Sequence, residues 1–341
     1  MTTSWPIGSE KSGEGQGLAS GPERPDLAEK SKRFYVEHSN LMNARSSKVV
    51  SLCEAASTIK DGCRLTLGGF AVYQKPMALV RELARQARKD LVIVGAAHSF
   101  DVDMLCAAGC LKRIETSYVG LERFGLARNF RRLAEKGGIE IVDYPELISL
   151  DRFRADQEGL EFWPVEGLGG NDVIRFNAEI KEITCPVSGR LLHAVPAAKP
   201  DVVVIHAIAA DEEGNVVIPA RRLFPQSADI TFSRACDHVI VTAEKIVPRS
   251  FIKRHARLVE IPSYRVNAVV EVPFGSHPTP TLGRYIADDQ HMAEYVEASG
   301  AEVRFTRYLE RYVHSPQTHF DYLDLLGSRR LTSLQDLDSL Q

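Results

Sequence analysis

The chain lacks any apolar run close to the eighteen or so residues that a membrane-crossing helix needs, so no membrane association is expected. It also lacks a surplus of charge of either sign. Lys and Arg number 42 against 45 Asp and Glu, for a formal net charge of −3. A protein that tracks phosphates usually carries a basic excess, so nucleic acid is not an expected partner. Cysteine is sparse and unpatterned: Cys53, Cys63, Cys106, Cys110, Cys185 and Cys236 include no Cys-x-x-Cys pair. That excludes a disulfide framework and a zinc ribbon and leaves six small, buried apolar residues in a reducing compartment. Several self-contained catalytic signatures are missing as well. There is no Gly-x-x-x-x-Gly-Lys-Ser/Thr, no Gly-x-Ser-x-Gly, no His-Glu-x-x-His and no Gly-x-Gly-x-x-Gly. A P-loop nucleotidase, an elbow-type serine hydrolase and a zinc protease thereby lose their support.

What the chain does contain is ordered α/β patterning, with 44% hydrophobic and 26% charged residues. Residues 1–47 are polar and rich in Gly, Ser and Pro, so a disordered extension is expected there, with no apolar stretch of the secretory kind. From Val49 the pattern becomes periodic. A helix is expected over Val49–Lys60, a strand at Arg64–Leu67 and a helix opened by Pro76 and running to Arg88. The unit repeats with strands at Leu91–Val94, Arg113–Val119 and Ile139–Val142, and helices over Asp101–Cys110, Ala127–Lys136 and onward from Pro145. Residues 160–200 read as irregular, being rich in Gly and Pro. Strands return at Asp201–His206, Val239–Thr242 and Ala268–Val272, and the end is helical over Asp288–Ser299, Thr306–His314 and Thr318–Leu326. Short apolar strands alternating with amphipathic helices imply an open, mostly parallel twisted sheet with flanking helices. One domain over 48–330 is expected, with a tail at 331–341.

The strongest local feature is Gly68-Gly69-Phe70, entered by a strand and left by a helix. Two glycines permit positive φ and close backbone approach. Free N–H groups at the helix start, with Lys75 beside them, could hold a phosphate, a carboxylate or the pantetheine end of a cofactor. The same pattern also fits a tight turn that binds nothing. Among the histidines, His206 closes a buried strand and reads as a hydrogen-bonded core residue. His277 lies just after a strand, on the edge where open α/β sheets bind ligands, and is a candidate for the substrate pocket. Cys106 and Cys110 share a helix and read as its core, not as metal ligands.

The segment Asp61-Gly62-Cys-Arg-Leu-Thr-Leu-Gly68-Gly69-Phe70-Ala-Val-Tyr-Gln74-Lys75-Pro76 resembles the opening of the A (alpha) subunits of family I CoA-transferases, the glutaconate and 3-oxoadipate group. Further matches are Ile183-Thr-Cys-Pro186, Ala194-Val-Pro196, Asp201-Val-Val-Val-Ile-His206, Gly214-Asn215, Val241-Thr-Ala-Glu244-Lys-Ile246, Ala268-Val-Val-Glu-Val-Pro273 with Gly275-Ser-His277-Pro278, and Leu325-Leu-Gly327. The resemblance spans about residues 49–330. Gln74 departs from it, since many members have Gly there.

The resemblance implies transfer of CoA from an acyl-CoA to a small carboxylic or dicarboxylic acid, in carboxylic acid catabolism. The route is a glutamyl-CoA intermediate with ping-pong kinetics and no metal. In that family the glutamate lies on the B (beta) subunit, before Asn-Gly. This chain has no Glu-Asn-Gly, so it is expected to be half of a heteromeric cytoplasmic enzyme. It would hold no permanent cofactor, with coenzyme A as substrate and covalent intermediate. Gly68, Gly69, Phe70 and Lys75 would bind the CoA end, with the loop supplying backbone donors and Phe70 an apolar wall, and His277 would line the substrate pocket. The fold also resembles steroid-ring-opening CoA hydrolases, in which the alpha chain supplies a working glutamate; Glu146, in Asp143-Tyr-Pro-Glu146, falls at the matching place. Pro145-Glu146 equally describes an ordinary first helical turn. A reading of another class is a non-enzymatic protein that binds a small anion at Gly68-Gly69.

Overall fold

The computed structural model describes residues 47–168, 172–218 and 224–335. The extension expected over 1–47 falls outside them except for Ser47, and the tail expected from 331 falls outside them beyond Gln335. The central sheet has seven strands: β1 (Arg64–Leu67), β2 (Leu91–Val94), β3 (Leu111–Thr116), β4 (Glu140–Asp143), β5 (Val202–Ala207), β6 (Val239–Ala243) and β7 (Ala268–Glu271). Their spatial order is β7-β6-β5-β1-β2-β3-β4, and every neighbouring pair is parallel. The chain winds outward from β1 to β4, then returns to the other side of β1 and winds out to β7. The reversal lies between β1 and β5.

Helices cover both faces: α1 (Leu52–Thr58), α2 (Met77–Arg85), α3 (Phe100–Ala107), α4 (Arg128–Glu135), α5 (Glu146–Gln157), α6 (Phe224–Arg234), α7 (Asp289–Ala298), α8 (Glu302–Leu309) and α9 (His319–Leu326). Alternate residues of a strand point to opposite faces. Val202 and Val204 of β5 therefore join one core, with Leu79, Leu105, Tyr295 and Phe305. Val203 and Ile205 join the other, with Phe153 and Phe232. Every residue of β5 and β6 is buried, which explains their mostly apolar sequences, with His206 and Thr242 the polar members. Ser51 and Glu54 cap α1 reciprocally, and Thr318 and Asp321 do the same for α9.

The span 160–200 is not irregular. Phe162–Val165, Leu191–Pro196 and Lys181–Thr184 form a three-stranded antiparallel sheet with the 191–196 strand in the middle. The two outer strands are exposed or half-buried throughout, so they carry no hydrophobic alternation to read. Residues 331–333, expected in a tail, finish a short helix (Ser328–Ser333), and Leu334 just beyond it is buried. Helix α6 stands where the sequence pattern predicts no element.

One charge cluster positions α5. Glu115 at the end of β3 is buried, accepts from Arg152 Nη2 at 2.6 Å and Arg64 Nη1 at 2.9 Å, and receives Arg113 Nε at 2.9 Å. Arg152 itself is buried and lies over the Tyr144 ring, 4.0 Å from its centroid. Burial alone would raise the Glu115 pKa, but the guanidiniums outweigh it and hold the carboxyl down at about 2. Removing one partner of such a cluster leaves buried charge poorly compensated. Because Arg64 and Arg113 remain, Arg152→Met is expected to cost about 3 kcal/mol in urea unfolding, the low end for a broken buried pair. The folded pKa of Glu115 lies below its unfolded value. Its contribution is thus complete above about 4.5 and lost as pH falls through about 2, a loss that unfolding curves of wild type and Glu115→Gln should separate.

Candidate functional site

In a parallel sheet wound both ways, the crevice that takes ligands opens at the carboxyl ends of the strands where the winding reverses. Here that point is the β1–β5 boundary, and the residues leaving β1 there are Gly68-Gly69-Phe70. Gly68 N donates to Val204 O at 2.7 Å, which ties the loop to β5. Gly69 has φ +73°, and a Cβ on it would stand 2.4 Å from Tyr73 O and 2.5 Å from Gln74 O. No other residue fits. Phe70 and Tyr73 then exchange backbone bonds of 3.0 and 2.9 Å, closing the loop on itself. Gln74 adopts φ +58°, a conformation that favours glycine. Its amide offsets that strain by donating to His206 O at 2.9 Å and accepting from Gln226 Nε2 at 3.1 Å.

The loop is not the free anion cradle that the sequence suggested. Gly68 N is used by Val204, Gly69 N by Asp229 Oδ1 at 2.7 Å, Phe70 N by Tyr73 O and Ala71 N by Ala97 O. Lys75 is fully buried, donates to Ala97 O at 2.9 Å and lies 3.3 Å from Asp101 Oδ2. Asp101 also bonds His98 Nδ1 at 2.8 Å. Burial opposes the charge on Asp101, yet Lys75 and His98 hold its carboxyl well below the usual carboxylate range. The Lys75 charge is therefore balanced inside the protein and does not face a ligand. A small-anion sensor built on this loop would need those donors free.

His277 is corrected in the same way. It is completely buried, with Nε2 2.9 Å from Asp288 and Nδ1 2.6 Å from the Tyr322 hydroxyl. Residues 274–281 fold back under the start of α2, where Gly275 O accepts from Ala78 N and Pro280 O from Gln74 N. Burial pushes the imidazole down to about 4, against the pull of Asp288, so it is neutral near pH 7. It props the loop from below and lines no cleft. His206 is the hydrogen-bonded core residue expected, held by Thr242 Oγ1 at 2.9 Å and Glu244 Oε1 at 2.7 Å. Cys106 and Cys110 are buried, with burial raising both thiols.

Above the loop lies a cleft of about 360 Å³ lined by Phe70, Tyr73, Glu146, Phe224, Pro225 and Leu282. Phe70 meets Phe224 edge to face, centroids 4.6 Å apart. Tyr73 and Phe224 are each 46% exposed, so both rings present apolar surface to the cleft. Glu146 opens α5 and is exposed at the rim. The structure thus brings Phe70 and Glu146 to one cleft, while Gly68, Gly69 and Lys75 support it from behind and His277 lies elsewhere. Sequence reasoning missed Tyr73, Phe224, Leu282 and Asp229. The last had one available signal, an acid amid the apolar positions Ala228, Ile230 and Phe232.

A family model described as coenzyme A transferase matches residues 49–272. The chain belongs to that family. It is 30% identical over 312 residues to the A subunit of the glutaconate CoA-transferase of Acidaminococcus fermentans, covering 86% of this chain and 96% of that one. The crystal structure of that enzyme superposes with a TM-score of 0.81 over 85% of this chain and 96% of the other. The A subunit of the 3-oxoadipate CoA-transferase of Pseudomonas knackmussii is also 30% identical, over 81% of this chain and 97% of that one. At 26% identity, the IpdA subunit of the cholesterol ring-cleaving hydrolase of Mycobacterium tuberculosis matches 81% of this chain and 95% of its own length.

Glycine at the loop can be weighed against glycine at an ordinary turn. Gly62 has φ +77° with nothing within 4 Å of a Cβ, so Gly62→Ala incurs only the left-handed strain of about 1–2 kcal/mol. Gly69→Ala adds collisions with two backbone carbonyls and should exceed it by about 1–3 kcal/mol. Thermal unfolding of the two variants checks the difference; equal losses would mean that the loop is not closed as described.

Proposed function

We propose that this chain is the alpha half of a two-subunit enzyme that moves CoA from an acyl-CoA to a small carboxylic or dicarboxylic acid. The nucleophile is a glutamate on a partner beta chain. Its carboxylate attacks the thioester carbonyl and expels CoA thiolate, leaving an acyl-glutamyl anhydride. The thiolate returns to the glutamyl carbon, frees the first acid and leaves a glutamyl-CoA thioester. The second acid attacks that thioester, giving an anhydride that the thiolate cleaves at the new acyl carbon. Coenzyme A enters as substrate and leaves as product. We place the enzyme in the cytoplasm, where acyl-CoA is supplied.

The observation that carries this reading is the open cleft. Its walls are largely apolar, with the side chains of Phe70, Tyr73, Phe224 and Leu282 turned to one exposed space and Glu146 as the sole acidic lining residue among the described residues. An apolar wall of that kind marks an interaction site. It suits an acyl chain, and covering it with a second chain excludes water. An anhydride survives transfer only where water is kept out. The likeness to the alpha chains of two CoA-transferases over nearly their full lengths supports the same half-site role.

A second reading, CoA-thioester ring hydrolysis with Glu146 as the base, is favoured by the place of Glu146 on the cleft rim beside Phe70. The two readings differ in what water does. Under transfer, the assembled complex should exchange CoA between acetyl-CoA or succinyl-CoA and short carboxylic or dicarboxylic acids. The adduct of CoA mass should then lie on the partner chain. Glu146→Gln should retain transfer within about tenfold. Under hydrolysis it should lose about 10²–10⁴-fold, the usual contribution of a positioned base. Full-rate exchange by this chain without a partner would overturn the proposal.

A further inference from the structure

Of the four N–H groups from Gly68 to Ala71, three donate to backbone carbonyls of the folded loop or sheet and one to a side chain. The exception is Gly69, whose N–H meets Asp229 Oδ1 at 2.7 Å. The carboxyl reaches it through a gap that only glycine leaves open, since a Cβ on Gly68 would stand 2.5 Å from that oxygen. Asp229 is buried on α6, the helix whose first residues, Phe224 and Pro225, form a wall of the cleft. The same helix sends Gln226 to Gln74 at the far end of the loop. The helix therefore grips the loop at two points and also supplies the surface opposite Phe70. A displacement of α6 or of the loop moves Phe70 and Phe224 relative to each other, and with them the width of the cleft.

We propose that Asp229 is a positioning residue for CoA transfer, holding Gly69 by its N–H so that Phe70 stands against Phe224 as the wall that receives the acyl group. This rests on the CoA-transfer reading above. The grip depends on the state of the carboxyl, because an ionised acceptor makes the stronger and shorter bond. Burial pushes the Asp229 carboxyl up to about 7, against the opposing effects of the Gly69 N–H and Lys75. The charged or titratable groups facing it are Lys75 from the loop and His206 from β5, which lines the same small interior space with Gln74 and Gln226. Behind these stand Asp101, which engages Lys75 and His98, and Glu244, which engages His206. The carboxyl thus changes charge close to neutrality, and the wall is held more tightly above that pH than below it.

The test uses the complete complex with its partner chain and the fastest donor–acceptor pair among acetyl-CoA or succinyl-CoA and short carboxylic or dicarboxylic acids. In wild type, KM for the acyl-CoA should fall as pH rises through about 7, with kcat changing less. Asp229→Asn keeps a carbonyl acceptor for Gly69 without a titratable proton. It should hold KM near the wild-type value below that pH and lose the inflection. Asp229→Ala loses the acceptor and should raise KM about tenfold at pH 8, the equivalent of one hydrogen bond to a charged group, with kcat within about twofold. Hydrogen exchange of peptides covering residues 68–71 should quicken in Asp229→Ala and stay near wild type in Asp229→Asn. Turnover by all three proteins with unchanged KM and a shared pH profile would overturn the role of Asp229 alone. A wild-type complex that turns over no pair would overturn the transfer reading, and this role with it.

Discussion

The bond from Gly68 N to Val204 O closes β1 onto β5 at the boundary where the sheet reverses its winding. Much of the functional geometry depends on that closure. Parallel strands must be joined by crossovers, so chain leaving β1 on one side and β5 on the other opens a crevice between them. Gly68 and Gly69 keep the crevice floor thin enough for a carboxyl from α6 to reach the loop. The loop in turn directs Phe70 outward to meet Phe224. A larger residue at either glycine would push apart the elements that shape the cleft.

Charge around this point is balanced inside the protein. Lys75 lies beside Asp101, Asp288 accepts from Arg330, and Glu115 gathers three guanidiniums, while the buried imidazoles His98, His206 and His277 are each hydrogen-bonded to a carboxylate. Buried charges without partners cost several kcal/mol each, whereas paired ones are tolerated and, once paired, resist rearrangement. These groups therefore act as rigid supports of the loop and of α5, and leave the cleft above them apolar. With one carboxylate among its described lining residues, such a cleft is poor at generating its own nucleophile and, under the transfer reading proposed above, suited to shielding a reactive acyl group made by another chain. The same rim carboxylate bears on the choice between transfer and hydrolysis, because water needs a base and a path, and both depend on how the cleft is covered.

Much of the fold was legible in the chain. The strands at 64–67 and 91–94 stand where their apolar runs and bounding turns put them, and Pro76 starts the helix after the loop. Family membership was legible too, since a motif such as Gly68-Gly69-Phe70 followed by Pro76 is local and can be read without knowing the fold. The antiparallel strands at 162–165, 181–184 and 191–196 were not, because they are short and their apolar residues do not alternate cleanly with polar ones, so they carry little period-two signal. Helix α6 was hidden for a related reason: its buried side includes Gln226, Asp229 and Ser233, which interrupt the apolar spacing that marks a helix.

The candidate site divides along the same line. Local sequence determined that a glycine turn ends β1, that Glu146 begins a helix and that Phe70 follows the glycines. Only the tertiary structure decided which donors were already taken, that Lys75 and His277 point inward, and that Asp229, 160 positions further on, clamps Gly69. The reason is physical. Backbone conformation answers to neighbours along the chain, whereas hydrogen-bond occupancy, burial and charge balance answer to whatever the sheet brings alongside from distant segments.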